Sequence, residues 1–508
     1  MQYYFCTMPN DNQASEKAKA EKKRNDWIIS INNRLATVEK PSNLSIYKVP
    51  NKLLELKKDA YTPSIVSIGP FHHNDKAVPA FEEHKRRYML HLFMRISQAE
   101  KSQSALNKCA AAEKSQSALK KCAATILEKE EEARRCYSEK IGFDECELAE
   151  ILLVDGCFLL ELFLKYSDIE NHEEEKVEDP LINNARTIAT LQHDLALLEN
   201  QIPFFVLETL FDIIKVHVTQ PVRSSFTEHN VATLALLFFQ SALGLREEAI
   251  RSKSSKLSGK HLLDILHKFY VQTSLKRPKS LHKSHIRISD ITRHDDDDDR
   301  QRLLINGFEN CATQLLKTGI QFQDKTDTAP EENFLDIEFT TEVVKMPLLE
   351  IREATESIFR NLIAFEQCSI DTSHCIASYI FLMRSLLNSS HDAEILHHKK
   401  IIGYDLSGGG GRSHEDVSTL FKSMCDGVVL KDFCFSDMCT KVNKYPRSWL
   451  DRRRLRTIVK VKWREYMIAL PRDYFTNPWT TISVIAAIVL LGFTALQTYY
   501  TVRSYYPH

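Results

Sequence analysis

With 508 residues, 43% of them hydrophobic and 27% charged, the chain has a globular composition, enough apolar content for a large core, and room for more than one domain. Sixty-seven basic residues against sixty-eight acidic ones leave a formal net charge of -1, which excludes a general electrostatic attraction to nucleic acid, so no nucleic-acid partner is expected. Only 14 glycines and 16 prolines favour long helices over a turn-rich β architecture, and twelve cysteines without a C-x-x-C pair read as reduced thiols with no metal or other cofactor.

Residues 1–43 have no apolar signal-peptide core; their Lys/Glu-rich composition predicts a solvated, mostly disordered arm. A first helical lobe is expected over 44–270. The 62 residues between Pro79 and Gly142 contain neither Pro nor Gly and predict one or two long helices. Within them "AEKSQSALNKCAA" (99–111) is followed directly by "AEKSQSALKKCAA" (112–124), differing only at Asn107 and Lys120. Thirteen residues at about 100° each turn the second copy by roughly 220°, so Leu119 and Cys122 cannot continue the stripe of Leu106 and Cys109, and the duplication 99–124 is expected to be an exposed extension. Cys146 to Tyr166 is apolar on nearly all sides and predicts a central buried helix; Asp155 in its middle offers a catalytic acid, but such an acid is more often satisfied by neighbouring backbone or an arginine. Asn230 to Leu245, uncharged but short for a membrane span, predicts a core helix.

Residues 271–302, which include the run Asp295 to Asp299, predict a polar mobile loop before a second helical lobe over 303–470. The run lacks the spacing and glycine of a calcium loop. "FLDIEFTTEVVKMPLLEI" alternates as a short strand pair should. In "WLDRRRLRTIVKVKWREYMIAL" apolar residues recur at helical spacing among lysines and arginines; a helix lying on an anionic leaflet and a last core helix with a solvated basic face fit equally well.

No charged residue occurs from Tyr474 to Val502. The apolar part, Trp479 to Tyr500, is twenty-two residues, about 33 Å of helix, enough to cross a bilayer. A transmembrane helix with its flanks is therefore expected over 474–502, followed by a short tail, 503–508. Lys460, Lys462, Arg464 and Arg472 precede it and only Arg503 follows, so the expected topology is single-pass with the large N-terminal part cytosolic. The lipid bilayer is then one partner. The overall expectation is a mainly α body in two lobes with a short strand pair and one C-terminal membrane helix.

Several of these segments, in this order, carry a resemblance: "IYKVPNKLLELKKDAYTPSIVSIGPFHH", "FEEHKRRYM", "RRCYSEKI", "LLVDGCFLLELF", "DLALLENQIPFFVLETLF", "GKHLLDIL", "IFRNLIAFEQC" and "YFTNPWTTISVIAAIVLL". From Trp27 to Thr501 the chain resembles the plant family called domain of unknown function 247. The resemblance implies a land-plant protein with a mostly helical body and one C-terminal membrane helix, and no established biochemical activity. The duplication departs from the family's pattern.

The most conspicuous polar run is Glu199-Asn200-Gln201, inside "LLENQIPFFVL". Pro203 cannot donate to a helical carbonyl and crowds the preceding turn, so a helix here kinks or stops, and the three side chains can supply the missing partners. The second reading makes Glu199 an acid/base partner or metal ligand with His72 and His73, which project after the Gly69-Pro70 turn. "GGGGRS" lacks a P-loop lysine, and no G-x-S-x-G, H-E-x-x-H or dinucleotide fingerprint occurs. No catalytic, cofactor or metal residue is therefore assigned. Two functions stay open: a membrane-tethered interaction or signalling module with a protein partner, and a membrane-associated, hydrolase-like enzyme using His72, His73 and Glu199.

Overall fold

The structure, a computed structural model, describes residues 11–36, 44–75, 81–98, 105–171, 179, 181–218, 229–273, 307–325, 333–370, 372–405, 412–445 and 478–505. The polyaspartate run, most of the 271–302 segment, the basic stretch around 451–470 and the glycine run at 408–411 lie outside the described residues. The described part is mainly helical.

The N-terminal half runs α1 (Asp11–Ala36), α2 (Asn51–Leu56), α3 (Glu82–Gln98), α4 (Ala105–Glu128), α5 (Glu130–Arg134), α6 (Glu145–Asn171), α7 (Ala185–Leu195), α8 (Phe204–His217), α9 (Val231–Leu243), α10 (Glu247–Lys253) and α11 (Leu262–Thr273). At the start of α6, Asp144 and Glu147 accept each other's backbone N–H at 2.9 and 2.8 Å, a reciprocal cap that satisfies two otherwise orphaned donors. Its apolar circumference then packs against α3, α4, α8 and α9, so it is the central helix the sequence predicts. α9 is the expected core helix: Asn230 caps it by accepting from Thr233 N–H, and Gly244, at φ 60°, ends it in the left-handed region.

Two expectations for this half are corrected. Residues 11–36 form a helix, where the composition predicted a mostly disordered arm. The second copy of the duplication packs into the core: Ala118, Cys122 and Ile126, four residues apart in turn, are fully or almost fully buried, and Ser115 Oγ donates to the Phe93 carbonyl at 3.1 Å. The offset argument holds, but it displaces the first copy, because the second is the one in register with Ile126 downstream. Side chains of the first copy lie outside the described residues.

The C-terminal half contains α12 (Ala312–Lys317), α13 (Thr355–Cys368), α14 (Cys375–Leu386), α15 (Ser390–His398), α16 (His414–Met424) and α17 (Ser436–Asn443). The predicted strand pair is present as β2 (Glu338–Thr340) and β3 (Val343–Met346), antiparallel with Phe339 opposite Val344. β1 (Gln321–Asp324) adds in parallel to β3, and β4 (Leu349–Glu350) pairs in parallel with β5 (Ile402–Gly403). Cys375 and Cys434 form a disulfide across 59 residues, which corrects the reading of every cysteine as a thiol; such a separation leaves no spacing motif to recognise.

Buried side chains form one continuous cluster from Ile46 to Val442. Residues before and after the 271–302 segment meet inside it: His267 Nε2 lies 2.8 Å from Glu366 Oε1, and the same carboxylate accepts the Ile376 and Ala377 N–H groups that open α14, each at 2.9 Å.

The last helix, α18 (Pro478–Tyr505), covers the C-terminal apolar run. Among the described residues no helix is long and apolar enough to cross a membrane.

Candidate functional site

Residues 44–75 contain little regular structure, yet Ser45, Val49, Val66, Ser67 and Ile68 are buried. Buried N–H groups without a ladder need other acceptors. The last turn of α7 and the loop joining it to α8 supply them. Asp194, completely buried, accepts three consecutive N–H groups, from Ser64, Ile65 and Val66, at 2.8, 2.7 and 2.9 Å. Asn200 Oδ1 accepts from Ile68 N–H at 2.6 Å, while its Nδ2 donates to the Val66 and Asp194 carbonyls at 3.0 and 2.9 Å. Glu199 accepts from Val49 N–H and from Lys48 Nζ, both at 2.7 Å. Gln201 turns inward, donating to the Leu195 and Leu197 carbonyls at 2.9 and 2.8 Å and accepting from Leu263 N–H at 3.1 Å.

Pro203 is therefore a start signal. α7 has already ended at Leu195, and Pro203, φ -58°, is the residue just before α8, where its missing N–H costs nothing. Gln201 and Asn200 close the end of α7, as the sequence suggests, but the larger task of the run is to grip the extended segment, which local sequence does not reveal.

Asp155 completes the grip from α6, accepting from Gly69 N–H at 2.7 Å and pairing with Lys85 Nζ at 2.7 Å. Gly69 has φ 74°, and a Cβ there would come 2.4 Å from the Gln201 carbonyl oxygen, so glycine is required twice over. Burial opposes charge on Lys85, but Asp155 and Glu82 outweigh it and its pKa is raised; on Asp155 burial outweighs the pull of Lys85 and the Gly69 N–H, and its pKa is raised as well. Asn361 of α13 ties in the other half of the core, accepting from Leu198 N–H at 2.9 Å and donating to the Ala60 and Ser357 carbonyls, each at 2.8 Å.

The histidines divide. His72 Nε2 lies 3.6 Å from Glu199 Oε2, buried and without a hydrogen-bond partner. Burial, more than the opposing pull of Glu199, lowers the His72 pKa, so the ring is neutral. His73 instead packs edge-on against Phe143, ring centres 5.5 Å apart, at a cavity of about 330 Å³ lined by Glu82, Arg86, Glu147 and Glu150. A wider cavity of about 740 Å³ opens between α8 and the start of α9, beside Glu208, Asp212, Lys215 and Arg251, and shares no residue with the grip. Among the described residues no three His, Cys, Asp or Glu side chains stand together in a way that could hold a metal ion.

The DUF247 family, described as plant protein of unknown function, matches residues 46–493. The chain belongs to this family. The match begins two residues into the gripped segment, so Lys48, Val49, Asp155, Asp194, Asn200 and Asn361 all lie within it. The chain is similar to UPF0481 protein At3g47200 of Arabidopsis thaliana, 28% identical over 472 residues, covering 91% of this chain and 86% of that one. It is also similar to a second Arabidopsis thaliana UPF0481 protein, At3g02645, at 23% identity over 551 residues, covering 94% of this chain and 95% of that one. No solved structure matches the chain significantly.

Sequence reasoning singled out Glu199, Asn200, Gln201, His72, His73 and Asp155, and passed over Asp194, Lys48 and Asn361. A lone acid or amide inside an apolar stretch was the available signal for Asp194, in "LQHDLALL", and Asn361, in "IFRNLIAF".

Proposed function

We propose that the protein is a single-pass membrane-tethered module whose helical body serves recognition or signalling by binding a protein partner. The observation that carries the tether is the surface of α18: Leu490, Leu491, Phe493 and Leu496 are each more than half exposed to water. That much apolar surface on one helix is unfavourable unless something covers it, at roughly 25 cal/mol per Å². The uncharged run from Tyr474 to Val502 favours hydrocarbon as the cover. Four basic residues upstream against Arg503 downstream support a cytosolic body, whereas the Cys375–Cys434 disulfide favours the oxidising side. The interaction role is supported by the use of the conspicuous polar residues: Asp155, Asp194, Glu199 and Asn200 hold the chain in place.

Alkaline carbonate extraction tests the tether. The full chain is expected to stay with the membrane, and a chain ending at residue 477 to be released. Release of both would overturn the reading.

A hydrolase-like activity is the second reading, favoured by the neutral His72 imidazole beside Glu199. It requires ester or amide hydrolysis by the full chain that His72→Ala abolishes while leaving the melting temperature unchanged.

A further inference from the structure

α1 is a helix whose surface is not explained by packing. Every described side chain from Lys19 to Ile29 is exposed, including three adjacent large apolar ones: Trp27, Ile28 and Ile29 are 64%, 43% and 55% exposed. A helix gains most of its stability from burying an apolar face, so a face of this kind implies a cover that forms outside the chain's own core.

Charge distribution indicates the chemistry of that cover. In the three turns before the apolar residues, Lys17, Lys19, Lys22, Lys23 and Arg24 stand against Glu16, Glu21 and Asp26. At about 100° per residue Trp27, Ile28 and Ile31 fall within an arc of roughly 100°, with Arg24 inside it. An arginine there lays its stem along apolar surface and carries its guanidinium outward to a phosphate. A helix built to pair with a protein helix would carry an apolar stripe along its whole length. Here Trp27, Ile28, Ile29 and Ile31 stand in the C-terminal part and every basic residue of α1 except Arg34 stands before them, an arrangement that suits a helix lying in a bilayer interface, with a tryptophan where amphipathic rings partition best.

We propose that α1 docks on an anionic lipid leaflet, with Trp27 and Ile28 inserted among the headgroups and Lys23 and Arg24 over the lipid phosphates. The inference rests on the tether reading, because α18 would hold the body close to a leaflet, and on the anionic leaflet facing the body. α1 and α18 would then make two membrane contacts on one chain, fixing the face the body presents.

The exposed basic run is a trypsin target, which gives a direct readout. The full chain is mixed with vesicles of phosphatidylcholine alone, or with about a third phosphatidylserine, floated, and digested briefly. The chain is expected to float with both. Cleavage within 17–24 should slow at least about fivefold on the anionic vesicles only. Trp27→Glu and high salt should each restore cleavage. Equal cleavage rates on the two vesicle types, with flotation on both, would overturn the α1 proposal and leave the tether standing. Flotation only with anionic vesicles, lost in Trp27→Glu, would support α1 docking and remove the tether. Protection of 17–24 without vesicles would show a protein cover and overturn the proposal, as would failure to float with either.

Discussion

Replacing Asn200 by alanine removes three buried hydrogen bonds at once. Ile68 N–H loses its acceptor, and the Val66 and Asp194 carbonyls lose a donor. Asn200 is 1% exposed, so water cannot replace those partners without opening the loop. A stranded buried N–H costs about 1 to 3 kcal/mol, and the two carbonyls and the small void add to it, for an expected loss of about 2 to 4 kcal/mol. Asn200→Asp is the sharper variant: it retains an acceptor for Ile68 N–H but turns a second acceptor toward both carbonyls, so it should lose at least as much despite its near-identical shape. Glu83→Gln serves as the surface comparison, since the Glu83 side chain is 85% exposed and its pair with Arg87 should be worth less than about 1 kcal/mol. Urea unfolding of the full chain in detergent, followed by far-ultraviolet circular dichroism of the mainly helical body, reads all three. Unchanged midpoints for Asn200→Ala and Asn200→Asp would refute the structural reading of "LLENQIPFFVL" and make that loop the first place to look for a working site.

Three further outcomes are expected. Deleting either 99–111 or 112–124 should change stability by no more than about 1 kcal/mol, because the remaining copy presents the same alanine, leucine and cysteine in register with Ile126, whereas Ala118→Arg should greatly reduce folded yield. Burial pushes the fully buried His261 down to about 4, and its Nδ1 already accepts from Asp264 N–H at 3.3 Å. The unfolded state therefore takes up the proton first, and stability should be complete above pH ~6.5 and fall between pH ~6.5 and ~4, a loss that His261→Gln should flatten in pH-dependent unfolding curves. Dithiothreitol should lower the unfolding midpoint of the native chain and leave that of Cys375→Ser/Cys434→Ser unmoved; equal effects on both would place the cysteines apart in solution.

What was legible in the sequence follows the range of each signal. α6 and α9 were readable because an uninterrupted apolar run and a cap residue are local facts, and the β2–β3 pair because alternation is local too. β1 and β5 were not, since both pair in parallel with strands distant in sequence and β5 is only two residues long. The grip on 44–75 was half visible: the polar run and the Gly69-Pro70 turn stood out, but their partners lie about 130 to 150 residues away, and nothing in a single sequence pairs Asn200 with Ile68 or Glu199 with Val49. The duplication was misread because periodicity states that two copies cannot share a face without stating which copy keeps it. α1 was misread from composition, which weighs its lysines and glutamates but not their arrangement.

The tether and its direction are tested together by protease protection of sealed membranes carrying the full chain. A cytosolic, tail-anchored body predicts that added protease degrades everything up to about residue 470 and leaves one small shielded fragment containing α18, with no glycan on Asn43 or Asn388. Survival of the whole body, with glycans on those asparagines, would reverse the orientation and with it the leaflet that α1 faces. Complete digestion without any shielded fragment would contradict the membrane anchor itself.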